Sequence, residues 1–461
     1  MTVTRFDGAL PLLAARDLEA PLAWRDGRPI SGRQFVADAL RQAELLPASD
    51  AMINLSVDRY RFAVGLAAAL LRGQAGLLPP NMMPQTLAAL QGFGSGLYAL
   101  HDGEKLADVD LPQVCAADDH AELPAALPEL AIGAAQPAVC LLTSGSTGAP
   151  QPHLKHWGTL VRNVAAAARR LAELLQRPDL SGLTVVATVP AQHSYGLEST
   201  VLLALLGGAA FDAGRPFFPL DIAQALRKVP RPRALVTTPF HLKTLLQTGV
   251  ELPPVDLLLS ATAPLSPQLA AQAERVFGGK LIEIYGCTEA GQVATRRTVE
   301  GELWTTFDGL TIRCEVDAGT EAFVVEGGHV VAPTPLADIL HLESATQFRL
   351  LGRANDLIHV AGKRSSLGHL NFHLNSIDGV LDGVFWLDDE QVDGVVRPVA
   401  FVVAPTLESR EIAAALRQRL EAVFVPRRIV KLDSLPREAT GKLTVRTLRE
   451  LAAHHLRGNA P

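Results

Sequence analysis

The chain has 461 residues, 48% of them hydrophobic and 20% charged, with a formal net charge of -6 at pH 7. That length supports two or three domains with substantial cores, and the near-average composition excludes a disordered or fibrous protein. The acidic balance offers no general attraction for a polyanion, so nucleic acid is not an expected partner.

The amino terminus, MTVTRFDGAL, lacks a basic segment followed by an apolar run, so no secretory signal is expected. Residues 53–57 and 62–71 read as a strand followed by a helix, the start of an α/β layout. The second stretch, FAVGLAAALL, stops at Arg72 and is about half a membrane span, which predicts a buried helix. The expected location is therefore the cytoplasm, with no membrane span. Residues 107–138 are rich in alanine, proline and acidic side chains and predict an irregular surface connection. Beyond them, residues 138–142, 184–189 and 234–237 read as buried strands, with helices over 160–175 and 223–227. Residues 302–351 switch to short β-prone pieces, predicting a small antiparallel subdomain. After GRANDL, 352–357, about a hundred residues carry their own strands (398–403) and helices (412–424), enough for a separate domain. Cys115, Cys140, Cys287 and Cys314 are far apart, with no zinc-like spacing, and predict reduced thiols.

One stretch stands out for its chemistry: LLTSGSTGAPQPHLKHW, 141–157. A β-prone run ends at Thr143, and Ser144, Gly145, Ser146, Thr147 and Gly148 then form a flexible turn. Amides and hydroxyls at such a turn can converge on an anion, with phosphate the obvious ligand. No Gly-Lys-Ser/Thr closes the loop as in a Walker A motif, and the G-x-S-x-G frame of a nucleophile elbow is absent.

TSGSTGAP resembles the phosphate-loop signature of the adenylate-forming superfamily, which includes acyl- and aryl-CoA synthetases, nonribosomal peptide adenylation domains and luciferases. Five further stretches follow in that superfamily's order: PAQHSYGLEST (190–200), SATAPLSPQLAAQAERVFGGKLIEIYGCTEAG (260–291), PLADIL (335–340), GRANDLIHVAGKR (352–364) and LPREATGKLTVRTLREL (435–451). The resemblance implies a large amino-terminal α/β domain with a β-rich subdomain, residues 1–352, and a small mobile α+β lid, residues 353–461. ATP and a carboxylic acid would meet in the cleft between them.

The roles that the resemblance implies fall as follows. The loop from Thr143 to Gly148 would cradle phosphate, and Ala261, Thr262, Ala263 and Pro264 would border adenine. Val189, His193, Tyr195, Gly196, Thr238, Tyr285 and Gly286 would line the acid pocket, with Tyr285 also beside adenine and His193 beside the reacting carboxylate. Thr288 would bond the α-phosphate, and Glu289 would hold Mg²⁺, because a hard cation on phosphate oxygens needs a carboxylate to fix it. Asp338 would accept hydrogen bonds from the ribose hydroxyls, and Arg353 would approach ribose and phosphate. Asn355 or Asp356 would be the hinge, and Gly362 would line the channel for the pantetheine arm. Lys442 would be the catalytic lysine, offsetting charge when a carboxylate attacks the α-phosphate. The superfamily's loop lysine is replaced here by Gln151, and Lys155, arriving from a longer loop, is the candidate to take over the charge on the β- and γ-phosphates.

QHSYGLESTVLLALL, together with GKRSSLGHLN and the short chain, is most similar to the compact adenylating enzymes of aryl polyene and xanthomonadin-type pigment pathways. That narrower resemblance implies an aromatic acid, with a hydroxybenzoate the first choice, a hydroxycinnamate the second and a fatty acid the third. The acceptor would be the phosphopantetheine thiol of an acyl carrier protein or of CoA. Residues 427–449 carry Arg427, Arg428, Lys431, Arg437, Lys442, Arg446 and Arg449 against Asp433 and Glu438, a basic surface suited to either acceptor. The competing readings are a fatty acyl-AMP or acyl-CoA ligase, and a non-catalytic adenylate-binding homologue.

Overall fold

The computed structural model describes residues 8–79, 86, 90, 96–106, 109–117, 121–123, 126–144, 150–317, 320–353, 357–360, 363–387, 398–437, 443 and 445–456. Among the site expectations, Gly145, Ser146, Thr147, Gly148, Asn355, Asp356, Gly362 and Lys442 lie outside the described residues.

Short, largely apolar strand sequences such as AMIN and AGLL are buried at every position, as parallel strands covered on both faces require. They belong to a six-stranded sheet ordered Pro150–His156, Pro137–Ser144, Ala75–Leu78, Ala51–Asn54, Tyr98–His101, Gln113–Cys115. Its strands pair in parallel except for the first two, which form an antiparallel hairpin.

The second sheet has eleven strands. Its parallel centre runs Pro21–Arg25, Ala210–Asp212, Thr184–Ala187, Arg233–Thr237, Leu257–Ser260, Lys280–Cys287. From Thr184–Ala187 the chain goes first to the neighbour on one side, then crosses to Arg233–Thr237 on the other. That reversal is a topological switch point, where open α/β sheets bind ligands at the strands' carboxyl ends. Helix Trp157–Leu175 buries Leu160, Val164, Ala167 and Leu171 at helical spacing, and the core around it joins Val139 and Leu141 of the first sheet to Val185 and Ala187 of the second.

Residues 302–351 are antiparallel as expected, but they divide between two sheets. Leu310–Asp317, Thr320–Gly327 and Val330–Leu336 form a three-stranded sheet, while Trp304–Thr306, Gln347–Arg353 and Asp338–Leu342 extend the eleven-stranded one. The expected irregular connection over 107–138 contains two short strands, Gln113–Cys115 and Ala131–Gly133, which finish sheet edges.

The carboxyl-terminal segment has its own core of Leu370, Leu374, Phe385, Ile412 and Leu416 under the sheet Asp382–Trp386, Val399–Val403, Arg428–Lys431. The single helix expected over 412–424 is corrected to Ser409–Arg417 and a separate 3₁₀ turn, Ala422–Phe424. Leu416, Leu420 and Phe424 repeat at the helical period, but residues 418–420 turn, and the last two leucine and phenylalanine side chains are buried from that turn. Lys243 of helix Pro239–Gln247 reaches this segment, donating to the Val380 carbonyl at 3.0 Å beside the Arg437–Asp382 ion pair. No helix among the described residues is long and apolar enough to cross a membrane, and the apolar run 62–71 sits inside the buried helix Arg59–Leu71.

Candidate active site

Four adjacent parallel strands deliver the expected residues to one edge. Thr184–Ala187 leads into Val189, His193, Tyr195 and Gly196. Arg233–Thr237 leads into Thr238, and Leu257–Ser260 into Ala261, Thr262, Ala263 and Pro264. Lys280–Cys287 carries Tyr285 and Gly286 and leads into Thr288 and Glu289. Because the strands are parallel, all these groups stand at the carboxyl side of the switch point.

The residues expected to line the acid pocket are tied to the backbone. The Tyr195 hydroxyl donates to the Thr237 carbonyl at 3.1 Å, and burial pushes its phenol pKa upward. The Thr238 hydroxyl accepts from the His241 amide and caps helix Pro239–Gln247, so it is held by the backbone. A Cβ on Gly196 would overlap the Pro190 carbonyl, so only glycine lets the chain turn so tightly there. The turn continues into a π-helix, Leu197–Val201, a feature frequent at functional sites.

On the nucleotide side, Thr262 is a non-glycine residue at φ 78°, exposed with Ala263 and Pro264. Left-handed strain of this kind persists where surroundings enforce it, commonly at ligand sites. The Tyr285 hydroxyl donates to Asp338 Oδ2 at 2.8 Å, and the ring packs on Trp304 and Phe348 at centroid distances of 5.7 and 5.4 Å. Asp338 in turn pairs with Arg353 in the antiparallel register. Tyr285 and Asp338 are thus in direct contact, with the Arg353 backbone opposite Asp338.

The hairpin presenting Thr288 and Glu289 closes on two glycines. Gly291 has φ +81°, and a Cβ there would lie 2.8 Å from Asn163 Nδ2; a Cβ on Gly286 would overlap the Gly291 carbonyl. The Glu289 side chain is 46% exposed, with His153 Nε2 3.5 Å from one carboxylate oxygen. No group of three or more histidine, cysteine, aspartate or glutamate side chains among the described residues could hold a metal by itself. A half-exposed lone carboxylate fits a hard cation whose shell is completed by substrate phosphates and water, as magnesium requires.

The AMP-binding enzyme model matches residues 96–332, and the model for that family's carboxyl-terminal domain matches 384–442. The chain belongs to the AMP-binding enzyme family. This is a family of ATP-dependent, AMP-forming acid–thiol ligases, members of the adenylate-forming superfamily. The 4-coumarate–CoA ligase of Rhodobacter capsulatus is 31% identical over 280 residues, covering 61% of this chain and 67% of that protein. ATP-bound MatB from Rhodopseudomonas palustris superposes with a TM-score of 0.77 at 18% identity, covering 95% of this chain and 97% of that one. The anthranilate CoA ligase AuaEII in complex with anthranoyl-AMP gives 0.76 at 15% identity, covering 98% and 100%. These structural likenesses establish the fold.

Within this AMP-binding enzyme one expectation needs correcting. Lys155 is not on a lengthened phosphate loop but inside strand Pro150–His156, opposite Val139. Its ammonium is buried and donates to the Glu289 carbonyl at 2.6 Å. Burial lowers its pKa, opposed by Glu198, Cys287 and Glu289.

Two buried charges were missed in the sequence. Glu198 accepts from Ser194 Oγ at 2.7 Å and Asn163 Nδ2 at 2.9 Å, and burial raises its pKa against the pull of Ser194 and Lys155. An acidic residue inside the apolar run GLESTVLLALL was the available signal. Arg59, buried at the start of its helix, donates to the carbonyls of Gly214 at 2.6 Å, Val189 at 2.8 Å, Asp212 at 3.2 Å and Ala187 at 3.3 Å. It thereby ties the carboxyl end of strand Thr184–Ala187 to helix Arg59–Leu71. Desolvation depresses its pKa to about 10. No local pattern marks such a residue, since all its partners are more than a hundred positions away.

Proposed function

We propose that this enzyme activates an aromatic carboxylic acid, a hydroxybenzoate in the first instance, as its acyl-adenylate and transfers the acyl group to a phosphopantetheine thiol. The observation that carries the reading is the Tyr285–Asp338 hydrogen bond, which links the end of the last parallel strand to the edge strand carrying the candidate ribose acceptor. In the first step the acid carboxylate attacks the α-phosphate and pyrophosphate leaves. Asp338 accepts the ribose hydroxyls, Thr288 bonds the α-phosphate, and the loop from Thr143 to Gly148 cradles the remaining phosphates. Glu289 holds magnesium, which when bound neutralises charge on the phosphate oxygens. Lys442 offsets the charge that builds as two anions meet.

In the second step the lid, residues 353–461, turns about Asn355 or Asp356 and presents the Gly362 face. A thiolate of CoA or of an acyl carrier protein then attacks the acyl carbonyl, and AMP departs with the electron pair. The pinned Tyr195 and the tight Gly196 turn favour a flat, short acid over a long flexible chain. A 4-coumarate ligase among the relatives and an anthranilate ligase among the structural neighbours support an aromatic acid. The role matches that of the compact adenylating enzymes of aryl polyene and xanthomonadin-type pathways. ATP–pyrophosphate exchange across hydroxybenzoates, hydroxycinnamates and fatty acids tests it: exchange with an aromatic acid is expected, and exchange with fatty acids alone would overturn the aromatic reading.

A further inference from the structure

Strand Pro150–His156 alternates its side chains, so Gln151, His153 and Lys155 share one face. The last two meet the same residue from different directions. His153 Nε2 lies 3.5 Å from the Glu289 carboxylate, and Lys155 Nζ donates to the Glu289 backbone carbonyl at 2.6 Å. The lysine is 6% exposed, and of the negative groups that favour its charged form the foremost is Glu198, which is 2% exposed and held by Ser194 and Asn163. Asn163 also packs where a side chain on Gly291 would stand, so it buttresses the far end of the same hairpin.

We propose that Lys155 is a positioning residue: its buried ammonium fixes the Glu289 backbone and so sets where the Thr288–Glu289 turn meets magnesium and the phosphates. Glu198 sits one helical turn after Ser194, which neighbours His193 and Tyr195, so the buried carboxylate is anchored to the segment that carries those two residues. The cation missing at Gln151 is present two pleats along the same face, acting on the protein backbone rather than on the nucleotide.

This inference rests on the adenylation reading, and the experiment separates the two. Lys155→Met, Lys155→Met/Glu198→Gln and Lys155→Arg are compared with the unmodified chain. Thermal unfolding gives stability, and calorimetric titration of ATP at fixed magnesium, repeated across magnesium concentrations, gives binding without any acid substrate. Lys155→Met should lower the melting temperature and weaken ATP binding. The double variant, with both charges removed, should recover most of the melting temperature yet bind magnesium-ATP about ten-fold or more weakly, because one charge-assisted hydrogen bond is lost. Lys155→Arg, which keeps cation and donor, should bind within about three-fold of the unmodified chain on the same scale. A double variant that melts and binds magnesium-ATP like the unmodified chain would overturn the proposal. Should the double variant fail to fold, Lys155→Gln, a neutral head on a shorter stem, is read by the same criterion. An unmodified chain that binds no magnesium-ATP would instead count against the adenylation reading.

Discussion

The hydroxyl of Tyr285 donates to the carboxylate of Asp338 at 2.8 Å, joining the end of a central parallel strand to an antiparallel strand at the edge of the same sheet. The bond aims the carboxylate before any ribose arrives, and the stacked Trp304 and Phe348 rings keep the tyrosine in place. Replacing Tyr285 by phenylalanine should leave the fold intact and raise KM for ATP about five- to ten-fold, with a smaller change in kcat, as expected for one hydrogen bond to a charged group. Steady-state exchange kinetics with varied ATP check this.

Gly196→Ala should damage both stability and acid binding. The added methyl meets the backbone carbonyl of Pro190, which has no side-chain freedom with which to yield. An overpacking cost of about 1–3 kcal/mol is expected. The variant should melt lower, and its KM for the acid should rise more than its KM for ATP.

Arg59→Met should be the more destabilising of the two. It removes the guanidinium from the carbonyls of Asp212, Gly214, Ala187 and Val189, and each buried carbonyl left unsatisfied costs about 1–3 kcal/mol. On the proposed function Val189 begins the acid pocket, so variants that still fold should show weakened acid binding. Chemical denaturation and an acid titration measure the two effects.

His329 supplies a pH dependence. It is 1% exposed, and its pKa is depressed to about 4, first by burial and then by Lys155, against the carbonyls of Ala290 and Gln292. In the unfolded chain an ordinary imidazole takes up its proton near pH 6.5. Between those values the unfolded state holds more protons, so stability is full above about pH 6.5 and falls as pH drops toward 4. The loss from this one group is about 3 kcal/mol once the pH reaches the folded-state pKa. Asp212, raised to about 6 chiefly by desolvation, works the other way over the lower part of that window. Melting curves from pH 7.5 to 4.5 should show a smaller acid loss in His329→Gln than in the unmodified chain.

The parallel strands were legible because burial on both faces leaves continuous apolar runs, as at 184–187 and 234–237, and Thr238, Tyr285, Thr288 and Glu289 stand at or just after the carboxyl ends of two strands of that parallel set. The partners of buried charges were not legible. Lys155 and Glu289 are 134 positions apart, and only the register of the Pro137–Ser144/Pro150–His156 hairpin shows that Lys155 lies within a strand rather than on the loop. The division of 302–351 between two sheets was hidden for a similar reason. Alternation marks a strand as half-buried but does not say which sheet it joins.

The central claim is adenylation of an aromatic acid in the cleft that Tyr285 and Asp338 line. Its most direct test is ATP–pyrophosphate exchange with purified protein, with and without Lys442→Ala, across the acid panel. The account predicts exchange with a hydroxybenzoate, reduced by roughly two to three orders of magnitude in the variant while ATP still binds. Exchange equal in the two proteins, or no exchange with any acid while magnesium-ATP is bound, would contradict it.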